Sequence, residues 1–185
     1  FDAKGIQTPL VDKGGVQAFG FNGNGYWKSR SGHELVNMAG EYTLLFWVWS
    51  DDLVTRRTIF EKESTGYQSY QQEIAVTWEP SETFSWYSSY PDYGYGGTPP
   101  MSPGSWALVG IRMSSGERYD ARRGYSSLNG SAWESAYTVR SSQPIKQAGP
   151  IRIGNGYAGT VENGAIARVM VWEREISDAE INSIF

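Results

Sequence analysis

One ten-residue segment constrains the fold more than any other, because both of its alternating faces are apolar. The segment is EYTLLFWVWS, residues 41–50. One face carries Tyr42, Leu44, Phe46 and Val48, and the other carries Thr43, Leu45, Trp47 and Trp49. Successive side chains of a strand point to opposite faces, so this pattern predicts a strand in the middle of a sheet with something covering each side. Its aromatic and β-branched content favours a strand over a short buried helix.

Turn residues punctuate the rest of the chain at intervals of about 8 to 12 residues, the spacing typical of an all-β sandwich. Further strand patterns are GVQAFGFNG, RRTIFEK, QQEIAVTWE, ETFSWYSS, SWALVGIRMS, PIRIGNG and GAIARVMVWE. Asn22-Gly23 and Asn24-Gly25 favour positive φ, which predicts a tight hairpin after the first of these strands. With 185 residues, the chain is expected to form a single domain over residues 1–185.

A single helix is predicted, close to the C-terminus. Ser177 and Glu180 have the spacing of a capping box, in which the serine oxygen accepts from the backbone N–H of Glu180 and the glutamate reaches back. Ile176, Ala179, Ile181 and Ile184 then form a short apolar stripe.

Composition excludes several classes of function. There is no cysteine, so disulfides and thiolate chemistry are absent, and a histidine-dependent site would have to use His33, the one histidine. The 16 Lys+Arg against 20 Asp+Glu give a formal net charge of −4, which argues against nucleic-acid binding. No apolar run approaches the roughly 18 residues needed to span a bilayer.

A series of local patterns follows one order along the chain. It runs FNGNGYW at residues 21–27, YTLLFWVW, TIFEK at residues 58–62, SWALVGIRMS, YSSLNG at residues 125–130, and IRIGNG followed by GAIARVMVWEREISDAEI. In this order the patterns resemble the laminin-G-like domains of the concanavalin A-like lectin and glucanase superfamily, over most of the chain. The resemblance implies an all-β fold, a two-sheet antiparallel jelly-roll sandwich of the concanavalin A-like type with one short C-terminal helix. It also implies a role in binding glycans or proteins.

One departure from this family concerns calcium. Many relatives carry two acidic residues just after the Gly-x-Ile of the closing strand, and the first commonly helps to bind a structural calcium. Here those positions are Ala167 and Arg168, whose side chains offer no oxygen ligand. No metal ligand is therefore assigned and no cofactor is expected. Calcium stays open as an alternative, because Asp51 and Asp52 follow the buried strand in a predicted loop.

A glycosidase on this architecture would need two carboxylates about 5–5.5 Å apart for a retaining mechanism. On one strand, residues two apart share a face. Glu173 and Glu175 have this spacing, but they fall at the end of the closing strand, where solvated charges are common. The sequence therefore predicts no catalytic residue and no enzyme activity.

The candidate binding segment is residues 77–97, TWEPSETFSWYSSYPDYGYGG. Tyrosine and tryptophan offer a flat apolar face and one polar group, and carboxylates accept from sugar hydroxyls. Its tyrosines beyond Ser88 lie in a Pro- and Gly-rich stretch that is predicted to be a long loop. The predicted ligand contacts are Trp86, Tyr87, Tyr90, Tyr93 and Tyr95, with Asp92 and Glu82 as polar partners.

The sequence thus predicts a non-catalytic, lectin-like recognition module that docks to a glycan outside the cytoplasm, at a cell surface or on a virion. A second hypothesis is a structural or interaction subunit of a large assembly, such as a virion decoration protein or a surface appendage. Interfaces of that kind also concentrate tyrosine and tryptophan, and the domain would then be a possible homo-oligomer.

Overall fold

The computed structural model describes residues 2–5, 9–23, 25–29, 41–52, 56–63, 72–79, 83–88, 103–113, 119–127, 137–139, 150–155, 161 and 163–184. Within them the chain is almost entirely strands. These are β1 (Asp2–Gly5), β2 (Leu10–Lys13), β3 (Val16–Phe21), β4 (Gly25–Lys28), β5 (Tyr42–Ser50), β6 (Arg57–Glu63), β7 (Gln72–Glu79), β8 (Thr83–Ser88), β9 (Ser105–Met113), β10 (Tyr119–Ser127), β11 (Tyr137–Val139), β12 (Ile151–Ile153) and β13 (Gly164–Trp172), followed by α1 (Asp178–Asn182).

The strands form two antiparallel sheets. One has six strands in the order β1-β4-β12-β6-β7-β8, and the other has seven in the order β11-β10-β9-β5-β13-β3-β2. The predicted fold class is confirmed: two antiparallel sheets with one short C-terminal helix, as in a concanavalin A-like sandwich. The central position predicted for residues 41–50 is also confirmed, because β5 lies between β9 and β13.

The two apolar faces of β5 enter two different clusters of buried side chains. Tyr42 and Phe46 belong to the cluster that also contains Phe60 and Val76 of the six-stranded sheet, so this cluster is the core between the sheets. Leu45 and Trp47 belong to a second cluster on the outer face of the seven-stranded sheet. That cluster includes Ile176 and Ile181. The C-terminal segment with α1 is therefore part of what covers the second face of β5.

The predicted capping box is present at the start of α1. Ser177 Oγ accepts a hydrogen bond from the backbone N–H of Glu180 at 3.2 Å, and Glu180 Oε2 accepts from the backbone N–H of Ser177 at 2.8 Å. Arg112 in β9 is 2 % exposed and its Nη1 donates to the backbone carbonyl of Ile176 at 2.9 Å. The helix is thus held by a cap at its start, a buried arginine beneath it and apolar packing.

The hairpin predicted at residues 22–25 is wrong. Gly23 does have positive φ, at 84°, but β3 belongs to the seven-stranded sheet and β4 to the six-stranded sheet. The backbone N–H of Gly23 donates to the carbonyl of Val161 at 3.0 Å instead of closing a β3–β4 turn. The chain therefore crosses from one sheet to the other between β3 and β4.

Candidate functional site: the outer face of the six-stranded sheet

One row of residues crosses every strand of the six-stranded sheet on a single face. Cross-strand pairing links the six positions, which we call the polar row: Asp2, Lys28, Arg152, Glu61, Ala75 and Tyr87. Directly paired residues lie on the same face of a sheet. The next positions along β6 and β7 are Phe60 and Val76, which are buried in the core, so the polar row lies on the outer face. With strands about 4.8 Å apart, it spans about 24 Å.

The polar row is shielded from water at its β6 and β7 positions and is partly reached by water at its β4 and β12 positions. Glu61 is 6 % exposed and Ala75 is fully buried, whereas Lys28 and Arg152 are half-buried. Burying a carboxylate is costly unless an opposite charge is close. Arg152 occupies the position directly across from Glu61, and that is where such a charge is needed.

An aromatic side chain borders the row next to Arg152. The guanidinium carbon of Arg152 lies 5.7 Å from the centroid of the Tyr26 ring. This is within the range of a cation–π contact, which holds the arginine and the tyrosine together on the outer face. Tyr26 is half-buried, so part of the ring is accessible.

The structure places two of the sequence-predicted ligand contacts on β8. Tyr87 pairs with Ala75, so its register position is in the polar row, whereas Trp86 pairs with Val76 and its register position is on the core-facing side. The other predicted contacts lie outside the described residues: Tyr90, Tyr93, Tyr95, Asp92 and Glu82. The assignment of these residues to a binding site stays a prediction.

Sequence reasoning did not single out Tyr26, Lys28 and Arg152. A local signal exists, since Arg152 stands between two isoleucines and Tyr26 and Lys28 flank Trp27, an alternation that indicates outward-facing polar side chains. However, β4 and β12 are more than 120 residues apart in the chain and their pairing is not encoded in either segment alone. The row becomes visible only when the register is known.

The acidic residues considered for calcium lie at one end of the seven-stranded sheet. Lys13 Nζ donates to Asp51 Oδ2 at 2.5 Å, and Trp49 Nε1 donates to Asp51 Oδ1 at 2.8 Å. Partial burial raises the pKa of Asp51, but these two hydrogen bonds outweigh it and hold the pKa below its usual value. Asp52 accepts from Asn163 Nδ2 at 2.9 Å. Among the described residues, no group of three or more His, Asp or Glu side chains could hold a metal ion.

β13 has a bulge at Ala167, one of the two positions considered for calcium. The register with β5 shifts between Ile166 and Arg168, so that Ala167 is the extra residue. After the bulge, Val169 and Val171 pair with Phe46 and Leu44, which face the core.

These two valines are nevertheless 36 % and 40 % exposed, because they line an open apolar cleft between the sheets. The cleft has a volume of about 350 Å³. Its walls include Phe19 and Trp27, whose ring centroids are 4.3 Å apart.

The two glutamates at the end of β13 do not share one environment. Glu175 Oε1 lies 3.3 Å from Nε of the buried Arg112, whereas Glu173 is exposed. Although they are two residues apart in sequence, their carboxylates therefore do not flank one accessible position.

Two antiparallel sheets that enclose an apolar core define a β-sandwich. The chain matches the Laminin_G_3 family, described as the concanavalin A-like lectin/glucanases superfamily, over residues 21–182. It belongs to that family. No curated protein sequence matches it.

Solved structures with a similar fold include three from different sources. Domain 4 of AbnA, a GH43 extracellular arabinanase from Geobacillus stearothermophilus solved with arabinotriose, aligns with a TM-score of 0.74 at 15% identity, covering 99% of this chain and 86% of that one. Trypanosoma rangeli sialidase aligns with a TM-score of 0.65 at 14% identity, covering 99% of this chain and 29% of the sialidase. The binding domain of botulinum neurotoxin DC in complex with SialylT aligns with a TM-score of 0.63 at 13% identity, covering 87% of this chain and 39% of that one.

The TM-scores show a shared fold, and at identities of 13–15% the likeness concerns the fold alone. The chain spans less than a third of the length of the sialidase that it matches. Two of the three similar structures are complexes, one of domain 4 of AbnA with arabinotriose and one of the neurotoxin binding domain with SialylT. In the part of the chain that the structure describes, no helix has the length and hydropathy of a membrane span.

Proposed function

We propose that this domain is a non-catalytic carbohydrate-binding module that acts outside the cell. Its contact surface is the outer face of the six-stranded sheet at the β8 edge. The observation that carries the proposal is the register position of Tyr87 in the same row as Glu61 and Arg152. This arrangement places a predicted aromatic platform in line with groups that donate to and accept from sugar hydroxyls.

The remaining contacts come from the segment that follows β8. Tyr90, Tyr93 and Tyr95 would extend the aromatic platform, with Asp92 and Glu82 accepting from hydroxyls. Trp86 takes a supporting role, because its partner position Val76 is 2 % exposed and lies in the core. Family membership supports the proposal, as do similar domains solved with arabinotriose and with SialylT.

Absence of catalysis is part of the proposal. Among the polar-row residues whose exposure the structure describes, the half-buried charges are Lys28 and Arg152, both cations, and Glu61 is 6 % exposed. Acid–base cleavage of a glycosidic bond needs two carboxyl groups flanking one reachable position. A surface of this kind binds a sugar and does not cleave it.

The test is a glycan array with the purified domain, followed by calorimetry on each hit. Tyr87→Ala and Tyr93→Ala should each weaken binding about tenfold or more, the effect of truncating one principal contact. Leu10→Ala, an exposed apolar residue on β2 of the other sheet, is the matched control and should bind like the wild type. Unchanged binding in both tyrosine variants would contradict the location of the site.

A second candidate function is an interaction subunit of a larger assembly. The observation that favours it is the apolar cleft, because Val169 and Val171 expose apolar surface that protein contacts commonly bury. Light scattering, together with the glycan array, distinguishes the two candidate functions. A stable oligomer that binds no glycan on the array supports the assembly subunit. A monomer that binds a glycan supports the carbohydrate-binding module.

A further inference from the structure

We infer that the glycan bound by this domain is acidic and carries a carboxylate or a sulfate ester that two cations of the polar row hold. The inference rests on the proposed function and specifies the ligand of the same outer face. It is carried by the direct pairing of Lys28 on β4 with Arg152 on β12, which places two positive charges side by side where water reaches the sheet.

A ligand on the β4 and β12 section of the outer face meets three residues, which we call the cation patch: Tyr26, Lys28 and Arg152. Each of them is half-buried. Tyr26 and Lys28 are two residues apart on β4 and therefore share a face. The carboxylate across from Arg152, that of Glu61, is 6 % exposed, which is too little for a direct contact with a ligand. The charges that this section offers to a ligand are therefore positive.

The two cations of the patch repel each other in the free domain. Paired positions on one face have Cβ atoms about 4.5–5.5 Å apart, and like charges in this arrangement destabilise a sheet. Partial burial adds to the repulsion, because solvent screens partly buried charges less. An anionic group between Lys28 and Arg152 would attract both side chains and relieve this repulsion. A neutral hydroxyl would not.

The two side chains suit an anionic group in complementary ways. The guanidinium of Arg152 is planar and can donate two parallel hydrogen bonds to a carboxylate or a sulfate, whereas the ammonium of Lys28 is a compact charge. The Tyr26 ring restrains the guanidinium, whose carbon lies 5.7 Å from the ring centroid. Because charge-assisted hydrogen bonds are roughly twice as strong as neutral ones, an acidic group gains more here than a hydroxyl does.

The charge of the whole chain opposes this preference only at long range. The formal net charge of −4 slows the approach of an anionic ligand. At physiological ionic strength, interactions between exposed charges are largely screened beyond about 8 Å, whereas the cation patch acts in direct contact with the ligand. The local charge therefore decides the affinity of the bound state.

The experiment compares acidic glycans with matched neutral ones by calorimetry. The pairs are oligogalacturonate and its methyl ester, sialyllactose and lactose, and a sulfated galactan oligosaccharide and its desulfated form. The three pairs also separate a carboxylate from a sulfate ester. We expect the acidic member of at least one pair to bind about tenfold more tightly, with a severalfold loss of affinity in about 0.5 M NaCl.

Two variants test whether the cation patch sets this preference. Lys28→Gln and Arg152→Gln should each lower the affinity for the acidic probe about fivefold or more and change that for its neutral partner less than twofold. Arg168→Gln removes the same charge from an exposed position on β13 of the other sheet and is the matched control. If Arg152→Gln fails to fold because Glu61 loses the cation across from it, Lys28→Gln still gives the answer.

Each outcome has a distinct meaning. Binding of neutral probes that equals or exceeds that of their acidic partners overturns this inference and leaves the proposed function intact. Silence on every probe overturns both. A preference for acidic probes that survives in the folded patch variants, or that Arg168→Gln lowers equally, overturns its assignment to the cation patch.

Discussion

Arg112 and Asp178 are joined by a contact of 2.6 Å between Nη1 and Oδ1, which links the centre of the seven-stranded sheet to the first turn of the C-terminal helix. The two partners differ in their surroundings. The arginine side chain is 3 % exposed, whereas that of the aspartate is 61 % exposed. Replacing the arginine should therefore lower the free energy of unfolding more than replacing the aspartate does.

Arg112→Leu should lower the free energy of unfolding by about 2 kcal/mol or more, since the buried carbonyl of Ile176 loses its charged donor. Asp178→Asn should cost less than about 1 kcal/mol, because its carboxylate faces solvent and Glu175 still faces the guanidinium. Urea unfolding of both variants gives the comparison. Equal losses would show that the exposed contact, and not the buried donor, holds the segment.

The helix cap should depend on acid pH. The hydrogen bond from Arg174, followed by those from Ser177, lowers the pKa of Glu180 to about 2. Because the pKa in the folded state is below that of the unfolded chain, this stabilisation is present above the unfolded value and is lost as the pH falls towards about 2. Glu180→Gln should have a lower Tm than the wild type at neutral pH, and the difference should vanish near pH 2.

Arg174→Ala is the companion variant, because it removes the first of these causes and leaves the carboxylate in place. Its Tm difference from the wild type should disappear over the same acidic range. A difference that persists at pH 2 in either variant would mean that the charge of Glu180 does not stabilise the cap.

Two glycines with positive φ, Gly154 and Gly104, allow the cost of backbone strain to be measured apart from the cost of steric overlap. A Cβ at Gly154, where φ is 82°, would lie 2.2 Å from Cε1 of the buried Phe21 ring, whereas at Gly104, where φ is 71°, it would meet no atom within 4 Å. Gly104→Ala should cost about 1–2 kcal/mol from backbone strain alone. Gly154→Ala should cost at least about 1–3 kcal/mol more, from overpacking.

Urea denaturation of both alanine variants measures the difference directly. Equal destabilisation would indicate that the Phe21 ring moves aside without cost, which would contradict its close packing in the core between the sheets.

Calcium should have no effect on this domain. The Ala167 side chain supplies no oxygen ligand at the bulge of β13, and Asp51 already accepts from Lys13 and Trp49. Calorimetric titration with Ca²⁺ should be flat and the Tm should be the same with and without chelator. A chelator-induced fall of several degrees would show a metal site and refute this prediction.

The strand of residues 42–50 and the cap of α1 were predictable because both are local. Alternation alone assigns Phe46 and Trp47 to opposite faces, and the serine-to-glutamate spacing alone defines the cap. The prediction of a hairpin was wrong because an Asn-Gly pair favours a turn conformation but does not specify which strand will be the neighbour in the sheet. Gly23 adopts that conformation while the chain changes sheets.

The candidate site was only partly predictable for the same reason. Tyr87 could be selected by composition, but its alignment with Arg152 depends on the pairing of β6 with β12, which are distant in sequence. A glutamate on a strand is ordinarily exposed, and only the register shows that Arg152 lies directly across from Glu61, which is 6 % exposed.

The extra residue at Ala167 reverses the phase of β13. Before it, the even-numbered Ile166 faces the core, and after it the odd-numbered Val169 and Val171 do. Core-facing positions of this strand are therefore even-numbered before the bulge and odd-numbered after it, so simple alternation along the sequence assigns the wrong face to one half. Deleting Ala167 would remove the bulge and leave a strictly alternating strand, in which Val169 and Val171 still pair with the core-facing Phe46 and Leu44 and Trp172 stays on the outer face.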